Sequence, residues 1–567
     1  QELRSFQDWS LRYHLQSVPG VAEVASIGGF VKQYQIVIDP NRLLAYNLSI
    51  TDVMEKVRQS NNEVGGRLLE MSGAEYMVRA RGYIKSIEDI ENIALGVDKN
   101  GTPILIRQVA KVAIGPDIRR GVVDFDGEGD VVGGTVVMRF GENALNVINR
   151  VKAKLKELEP TLPEGVKVEI VYDRSELILK AIDTLKHQLL EEMLIVSAVI
   201  IIFLWHFPSA AVPIITIPIA VLLSFIPLAG MKLTANIMML SGIAISIGVL
   251  VDGAIIEVEN AYKRIEEWIK GGRKGDYHDV LLKSLKEVGP SVFFSLLLIA
   301  VSFLPIFTLL DQEGRLFRPL AWSKNLAMAI AAILAITLNP AMRMMFTRVE
   351  PFRFKNKFLS NTATTLLIGK YFPEEHHPVS RRLHRIYEPV CRWVLKHSVF
   401  TVVAALAIVL STIPVYLKLG HEFMPPLWEG NILYMPTTLP GISVTEAQKL
   451  MQTQDQILKR FPEVERVFGK AGRIESSTDP APFSMMETVV LLKPEQDWRK
   501  INGKIMTHDQ LIEEMDQALK LPGVSNAFTL PIKNRIDMLS TGVRTPIGVK
   551  VLGSDLKEIE KIGIQIE

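Results

Sequence analysis

The chain has 567 residues and carries 64 Lys and Arg against 62 Asp and Glu, so its net charge is close to zero. This balance excludes a basic nucleic-acid-binding protein, and we expect no nucleic-acid partner. The single cysteine, Cys391, excludes a disulfide framework and a cysteine-based zinc site. No cofactor is expected. The sequence begins at Gln1 without an initiator methionine and ends in mid-pattern at Glu567, which favours an internal piece of a longer protein.

Residues 1–187 alternate strand-like and helix-like runs, which is typical of a soluble α/β segment. Residues 33–38 predict a strand, and Asp39-Pro40 ends it. Ser49 predicts a helix N-cap, because helical spacing follows it. Residues 133–138 predict another strand, which a helix follows.

A short pattern of helix end, proline and strand recurs in both soluble segments. Repeated units of this kind predict small βαβ modules of ferredoxin-like type. Two similar soluble segments around a helix block suggest a duplicated transporter. The four copies begin at Leu15, Leu162, Leu458 and Leu521.

An uncharged block separates the two soluble segments. Residues 193–231 contain no Asp, Glu, Lys or Arg, and at about 20 apolar residues per bilayer span they can form two helices. Four more uncharged stretches follow. The sequence therefore predicts an α+β membrane protein with a polytopic helix bundle in the lipid bilayer. The predicted spans are 188–206, 209–230, 234–257, 288–310, 324–343 and 397–417.

Basic residues orient the predicted bundle. The 261–287 loop carries seven Lys and Arg against five acids, and residues 343–396 carry eleven against four. Both lie on one side of the membrane if the spans alternate, and an excess of positive charge marks that side as cytoplasmic. The predicted domains are a periplasmic segment 1–187, transmembrane helices in 188–258, a cytoplasmic loop 259–287, helices in 288–343, a basic cytoplasmic segment 344–396, a helix at 397–417 and a second periplasmic segment 418–567.

The third predicted span carries an acid well inside its sequence. Asp252 follows 19 uncharged residues. A carboxylate in a bilayer is unfavourable unless it is paired or hydrated, so Asp252 is predicted to relay protons. Glu259 is a second candidate for this role, although a position at the lipid headgroups also explains it. Gly248 and Gly253 are expected to allow close helix packing.

Several stretches resemble the heavy-metal efflux branch of the resistance-nodulation-division (RND) transporters. The helix around Val251-Asp252-Gly253-Ala254 is similar to the fourth transmembrane helix of that family, and the resemblance covers essentially the whole chain. It implies a trimeric, proton-driven antiporter of the bacterial inner membrane, with a periplasmic adaptor and an outer-membrane channel as partners. It also implies that Asp252 is the proton-relay residue. The other matching stretches are 189–192, 204–206, 287–290, 313–317, 429–436 and 535–542.

The resemblance also implies which ion is transported. Copper and silver members of the family hold the metal on three methionines in a periplasmic cleft, and Met435, Met485 and Met538 stand at the matching positions. Thioether sulfur suits Cu(I) and Ag(I) and suits Zn(II) poorly. Met486 is an adjacent alternative to Met485. The resemblance further places four charged residues around this site, namely Asp479, Glu487, Arg535 and Arg544.

A second set of methionines is implied within the bundle. Met238 and Met328 match methionines that pass the ion across the membrane in copper and silver members. Leu250, Glu257 and Arg343 replace methionine at three other such positions. A complete methionine route is therefore not expected, and uptake of the ion from the periplasm is favoured.

Other functions stay open. A divalent-metal pump of this branch carries an aspartate where this chain has Ser246. A drug pump would need an aromatic-rich cleft, whereas residues 473–490 contain only Phe483. A protein-export or sterol-sensing relative would need Asp252 but would be indifferent to the three methionines. A structural membrane protein would tolerate the loss of Asp252.

Overall fold

A computed structural model of the chain describes residues 1–204, 206–346, 378–420, 428–477, 479, 481–542 and 549–566. These residues belong to two compact units. One unit is Gln1–Arg174 with Pro425–Glu567, and the other is Ser175–Met424.

The first soluble segment contains the short helices and strands that its alternating pattern predicts. Strand 33–38, the helix after Ser49 and strand 133–138 are confirmed. Ser49 accepts the N–H of Asp52 while the Asp52 carboxylate accepts the N–H of Ser49, which forms a capping box. The helices are α1 Glu2–Phe6, α2 Arg12–Gln16, α3 Pro40–Ala45, α4 Ile50–Ser60, α5 Ile87–Glu91, α6 Ile106–Val109 and α7 Ala144–Leu158. The strands are β1 Val21–Gly28, β2 Lys32–Ile38, β3 Val64–Met71, β4 Ala74–Ala80, β5 Ala94–Val97, β6 Pro103–Leu105, β7 Ala110–Pro116, β8 Gly121–Phe125 and β9 Val132–Met138.

The second unit is helical. Its helices are α8 Arg174–Leu204, α9 Phe207–Gly230, α10 Ile237–Lys270, α11 Tyr277–Ser302, α12 Asp311–Ile336, α13 Leu338–Phe346, α14 Pro378–Lys396 and α15 Ser398–Lys418. Within the described part of the chain, five stretches are long and apolar enough to cross a membrane: Phe207–Gly230, Ile237–Lys270, Tyr277–Thr308, Glu313–Ile336 and Ser398–Lys418.

These five stretches overlap five of the six predicted spans. The remaining predicted span, 188–206, falls mostly within α8, which is not among the five. Trp205, near the end of that span, lies outside the described residues. A membrane span at 188–206 therefore stays a prediction.

Two boundaries in the helical unit differ from the sequence prediction. The segment 259–287 was expected to be a loop, but α10 continues to Lys270 and α11 begins at Tyr277, because helix-forming charged residues extend both helices beyond their apolar parts. The predicted span 324–343 is divided at Thr337. Pro340 has no N–H to donate to the carbonyl of Ile336, so the helix ends there.

The second soluble segment contains a ferredoxin-like module, as predicted. Its helices are α16 Val444–Lys459, α17 His508–Ala518, α18 Pro531–Thr541 and α19 Leu556–Ile566. Its strands are β10 Asn431–Tyr434, β11 Thr437–Thr438, β12 Val464–Gly472, β13 Met486–Leu492, β14 Lys500–Ile501, β15 Lys504–Ile505, β16 Val524–Ser525 and β17 Phe528–Thr529. The order β10-α16-β12-β13-α17-β17 gives a sheet ordered β17-β10-β13-β12, with every neighbouring pair antiparallel.

The sheet of this module also includes a strand from the first soluble segment. β8 pairs with the free side of β12, so both soluble segments contribute to one five-stranded sheet. The largest hydrophobic cluster of the module includes Ile432, Tyr434, Leu458, Val467 and Leu511, all of them buried.

The repeated helix–proline–strand pattern forms a strand in three of its four copies. β1 follows Pro19, β12 follows Pro462 and β16 follows Pro522, whereas no strand follows Pro163. Gly20, directly after Pro19, has a φ of +93°, in the left-handed region that favours glycine. The pattern therefore predicts the turn better than it predicts the strand.

Two buried carboxyl groups join β8 to α16. Asp124 accepts the N–H of Gly127 at 2.7 Å, and Asp455 accepts the Thr488 hydroxyl at 3.0 Å. Asp455 and Asp124 lie within hydrogen-bonding reach of each other, so a proton on Asp455 can be donated to Asp124. Burial, together with the negative charge of Asp124, raises the pKa of Asp455 well above its usual value.

We expect this pair to make the protein less stable as the pH rises. A carboxyl group whose pKa is higher in the folded state than in the unfolded state stabilises the fold most when the pH is below the unfolded-state pKa, near 3.8. That contribution is lost as the pH rises through the folded-state pKa. Asp455→Asn mimics the protonated acid, so its unfolding temperature should fall less than that of the wild type between pH 4 and 8. The control is Asp509→Asn, because Asp509 is exposed. Parallel slopes for Asp455→Asn and the wild type would contradict the prediction.

Candidate metal site and intramembrane charges

Two of the three predicted metal ligands lie on one face of the β10–β13 ladder. Tyr434 pairs with Thr488, and an isolated bridge joins Thr437 to Met485 in the same register. Directly paired residues share a face of the sheet, so Thr437 and Met485 lie on the same face. Side chains alternate along a strand, so Met435, two residues before Thr437, lies on that face as well. The N–H of Met435 donates to the carbonyl of Ala527 at 2.8 Å, which fixes the backbone beyond β10.

The third predicted ligand, Met538, is on α18, which packs against β10. The carboxylate of Glu429 fixes the start of this helix, because it accepts the N–H of Ile532 at 2.7 Å and the hydroxyl of Tyr172 at 3.0 Å. Burial and the Glu429 charge raise the pKa of Tyr172 to about 12, so the phenol remains a donor at neutral pH. The methionine-bearing helix is therefore held at its N-terminus by one hydrogen bond to Glu429, and Tyr172 holds that acid in place with a second.

Asn534 orients the thioether of Met538. Its Nδ2 donates to Met538 Sδ at 3.3 Å from one helical turn earlier, and Asn534 is only 4% exposed. The sulfur has a second lone pair, so this contact leaves it able to bind a metal ion. The sequence analysis missed Asn534, although its spacing of four residues from Met538 places both on one helix face.

Burial distinguishes the two adjacent methionines. Met486 is fully buried in a hydrophobic cluster with Val122, Met451 and Ala471, on the opposite face of β13 from Met485. Met485 is half-buried, as is Met538, whereas Met435 is fully buried. Met486 is therefore a core residue, and Met435 must become accessible before an ion can reach it.

Charged residues next to these methionines include one that the sequence analysis missed. Lys470 forms ion pairs with both Asp479 and Glu487, the two predicted neighbouring acids. Arg535 is exposed on α18, and Arg544 lies outside the described residues. Within the described ranges, no group of three or more His, Cys, Asp or Glu side chains is placed to hold a metal ion.

Asp252 and Glu259 share the exposed face of α10. They are seven residues apart, which is two helical turns or about 10.5 Å along the axis. A Cβ on Gly253 would lie 3.3 Å from Val292 of α11, whereas no other described residue lies within 4 Å of a Cβ on Gly248. Close packing is thus confirmed at Gly253, and at Gly248 it stays a prediction.

Glu257 lies on the buried face of the same helix, where it belongs to a polar cluster. The side-chain amide of Asn339 donates to Glu257 Oε2 at 2.8 Å, and the Thr216 hydroxyl lies 2.8 Å from Asn339 Oδ1. Arg343, only 2% exposed, donates to the carbonyl of Val258 at 2.6 Å and interacts electrostatically with Glu257. The cluster links α9, α10 and α13 through groups that are unfavourable in an apolar bundle unless they are partnered.

The two predicted transit methionines differ in their surroundings. Met328 is fully buried in a hydrophobic cluster with Val292 and Leu296. Met238 is half-buried near the start of α10, 14 residues before Asp252 and therefore about 21 Å from it along the axis. The role of both methionines in ion transit therefore stays a prediction.

The combination of a ferredoxin-like soluble module and a bundle of long apolar helices defines an α+β polytopic membrane protein of the transporter class. The chain belongs to the AcrB/AcrD/AcrF family, whose model matches residues 1–567. This membership confirms the resemblance to RND transporters that the sequence motifs indicated.

Relatives and a solved structure agree with this assignment. The chain is 47% identical to the cation efflux system protein CusA of Escherichia coli K12, a match that covers 100% of this chain and 52% of the relative. It is 35% identical to the cobalt-zinc-cadmium resistance protein CzcA of Cupriavidus metallidurans, over 98% of this chain and 50% of that protein. The crystal structure of a heavy metal efflux pump superposes with a TM-score of 0.81 at 27% identity, covering 100% of this chain and 52% of that one. The chain thus spans about half the length of the curated relatives that it matches.

Proposed function

We propose that this chain belongs to a proton-driven transporter that exports a soft monovalent ion, Cu(I) or Ag(I). The observation that carries the proposal is the placement of Met435 and Met485 on one face of the β10–β13 ladder, with Met538 on the helix packed against β10. Thioethers are neutral, polarizable ligands that match soft ions and need no deprotonation.

The similarities support export of a metal cation. CusA, named as a cation efflux protein, is 47% identical to this chain, whereas CzcA, named for cobalt, zinc and cadmium resistance, is 35% identical. The heavy metal efflux pump with a TM-score of 0.81 supports metal export rather than drug export.

In the proposed cycle, proton transfer at Asp252 drives a rearrangement that opens and closes the methionine site. The buried position of Met435 represents a closed state, and opening gives the ion access from the periplasm. Return of the site to the closed state separates the thioethers from the ion. Coupling requires the protonated and ionised forms of Asp252 to favour different helix arrangements.

The proposed setting is the bacterial inner membrane, with both soluble segments in the periplasm. The proposed assembly is a homotrimer that binds a periplasmic adaptor and an outer-membrane channel. Family membership supports this assembly.

The test is a titration of Cu(I), Ag(I) and Zn(II) against the native protein in detergent, read by intrinsic fluorescence. Met435→Leu, Met485→Leu and Met538→Leu should each weaken monovalent binding at least about tenfold, equivalent to about 1.4 kcal/mol. The matched control is Met486→Leu, which alters an adjacent methionine in the core and should bind as the wild type does.

The other outcomes select among the alternatives. Monovalent binding that none of the three variants weakens would place the site elsewhere. Binding of Zn(II) without a monovalent response would favour a divalent-metal pump and make the three methionines core residues.

A further inference from the structure

Lys470 forms a partly buried ion-pair cluster with two acids. On the β12–β13 ladder it stands directly opposite Glu487, and its Nζ lies 2.8 Å from the Glu487 carboxylate. It also pairs with Asp479. The three side chains are only 16% to 20% exposed, whereas a surface pair such as Lys449–Glu446 is more than 60% exposed. Such shielding from solvent strengthens the interaction of the three charges.

This cluster lies on the face of the sheet that carries the methionines. Glu487 is two residues from Met485 on the same strand and therefore shares its face. Continuing the pairing of Tyr434 with Thr488 places Met435 opposite Glu487. Met435, Glu487 and Lys470 thus form one row across β10, β13 and β12.

The chemistry of the row depends on the charge of Lys470. Two free carboxylates beside thioethers would offer hard oxygen ligands and two negative charges, which suit a divalent ion. One ammonium bound to both acids reduces the net charge to minus one and occupies one oxygen of each carboxylate. Burial opposes the charge of Lys470, but Glu487 and Asp479 outweigh it and raise the pKa of the ammonium above its ordinary value. Lys470 therefore stays charged at neutral pH.

We infer that Lys470 is a specificity-determining residue, which keeps Glu487 and Asp479 from binding the ion and so restricts the site to soft monovalent cations. This inference rests on the proposed function, because it presumes that the methionines form the metal site. Lys470 touches the acids and acts on the ion only through them.

The inference predicts a gain of divalent binding when the ammonium is removed. For Lys470→Leu in the native protein, which removes the ammonium without adding a metal ligand, Zn(II) affinity measured by calorimetry should increase at least about tenfold, while Ag(I) affinity stays within about threefold of the wild type. Lys470→Arg retains the charge and should retain the wild-type preference. Lys470→Gln, which also removes the charge, is made in parallel in case the leucine variant does not fold.

The control is Lys459→Leu, because Lys459 also pairs with a carboxylate, Asp126, at 2.9 Å, but on α16. This variant should leave both affinities unchanged. Adding Glu487→Gln to Lys470→Leu should remove much of the gained Zn(II) binding, since the freed carboxylate oxygens are what binds zinc.

Two failures are distinguishable. If the wild type binds Ag(I) through its methionines, but neither Lys470→Leu nor Lys470→Gln gains Zn(II) binding, the ion-pair cluster of Lys470 is only structural and the inference is overturned. If the wild type does not bind Ag(I), the proposed function itself fails, and the inference fails with it.

Discussion

Replacing Asp252 with asparagine is expected to abolish the proposed proton-driven metal export and to leave the proposed metal binding by the methionines intact. Asp252 is an exposed acid on a long apolar helix, and an amide of the same shape cannot exchange protons at any pH in the working range. The three methionines belong to the soluble unit, so their ligand chemistry does not depend on this carboxyl group. Transport and binding should therefore separate in this single variant.

The measurement is Ag(I) transport by the native protein in liposomes with an imposed pH gradient, with Ag(I) binding measured in detergent. Glu259→Gln is the matched control, because Glu259 lies on the same face of α10 and is also exposed. We expect this control to keep most of its transport. If Asp252→Asn transports at the wild-type rate while Glu259→Gln does not, the proton-carrying role belongs to Glu259.

Local features of the fold were predictable from the sequence because their causes are local. The capping box at Ser49 depends on residues three positions apart, and the strand at 33–38 ends where Asp39 caps a new helix. The uncharged stretches predicted five helices for the same reason, since each depends on about 20 consecutive residues.

Pairing between distant segments was not predictable in the same way. β8 pairs with β12 across more than 300 residues, and no local pattern specifies that edge. The choice between Met485 and Met486 depends on strand register, because a shift of one residue exchanges the two faces. Lys470 was missed for the same reason, since its importance comes from Glu487 on the neighbouring strand.

The buried acid in the bundle also became interpretable only through a distant contact. Glu257 is 82 positions from Asn339 and 86 from Arg343 in the sequence. Both partners lie on α13, and the chain reverses direction twice between α10 and that helix. In the sequence it is an unexplained charge in an apolar span. In the structure, Asn339 hydrogen-bonds it and Arg343 supplies the opposite charge.

This cluster leads to the second large expected effect. Glu257→Met removes the carboxylate and leaves the Arg343 charge in a site that is only 2% exposed. Leaving one of two opposite buried charges without its counterpart typically costs about 3–5 kcal/mol, so this variant should be strongly destabilised. Arg343→Met should destabilise the protein less, because the Glu257 carboxylate can take up a proton and become neutral, whereas an arginine cannot lose its charge.

The double variant Glu257→Met/Arg343→Met should regain most of the lost stability. Replacing a buried pair with apolar side chains removes both desolvation penalties at once, so it is often close to neutral. Unfolding in detergent of the wild type, both single variants and the double variant gives the coupling free energy, which we expect to be about 2 kcal/mol or more. If the double variant loses as much stability as the two single variants together, the expectation is contradicted. Such additivity would mean that Glu257 on α10 and Arg343 on α13 do not stabilise each other.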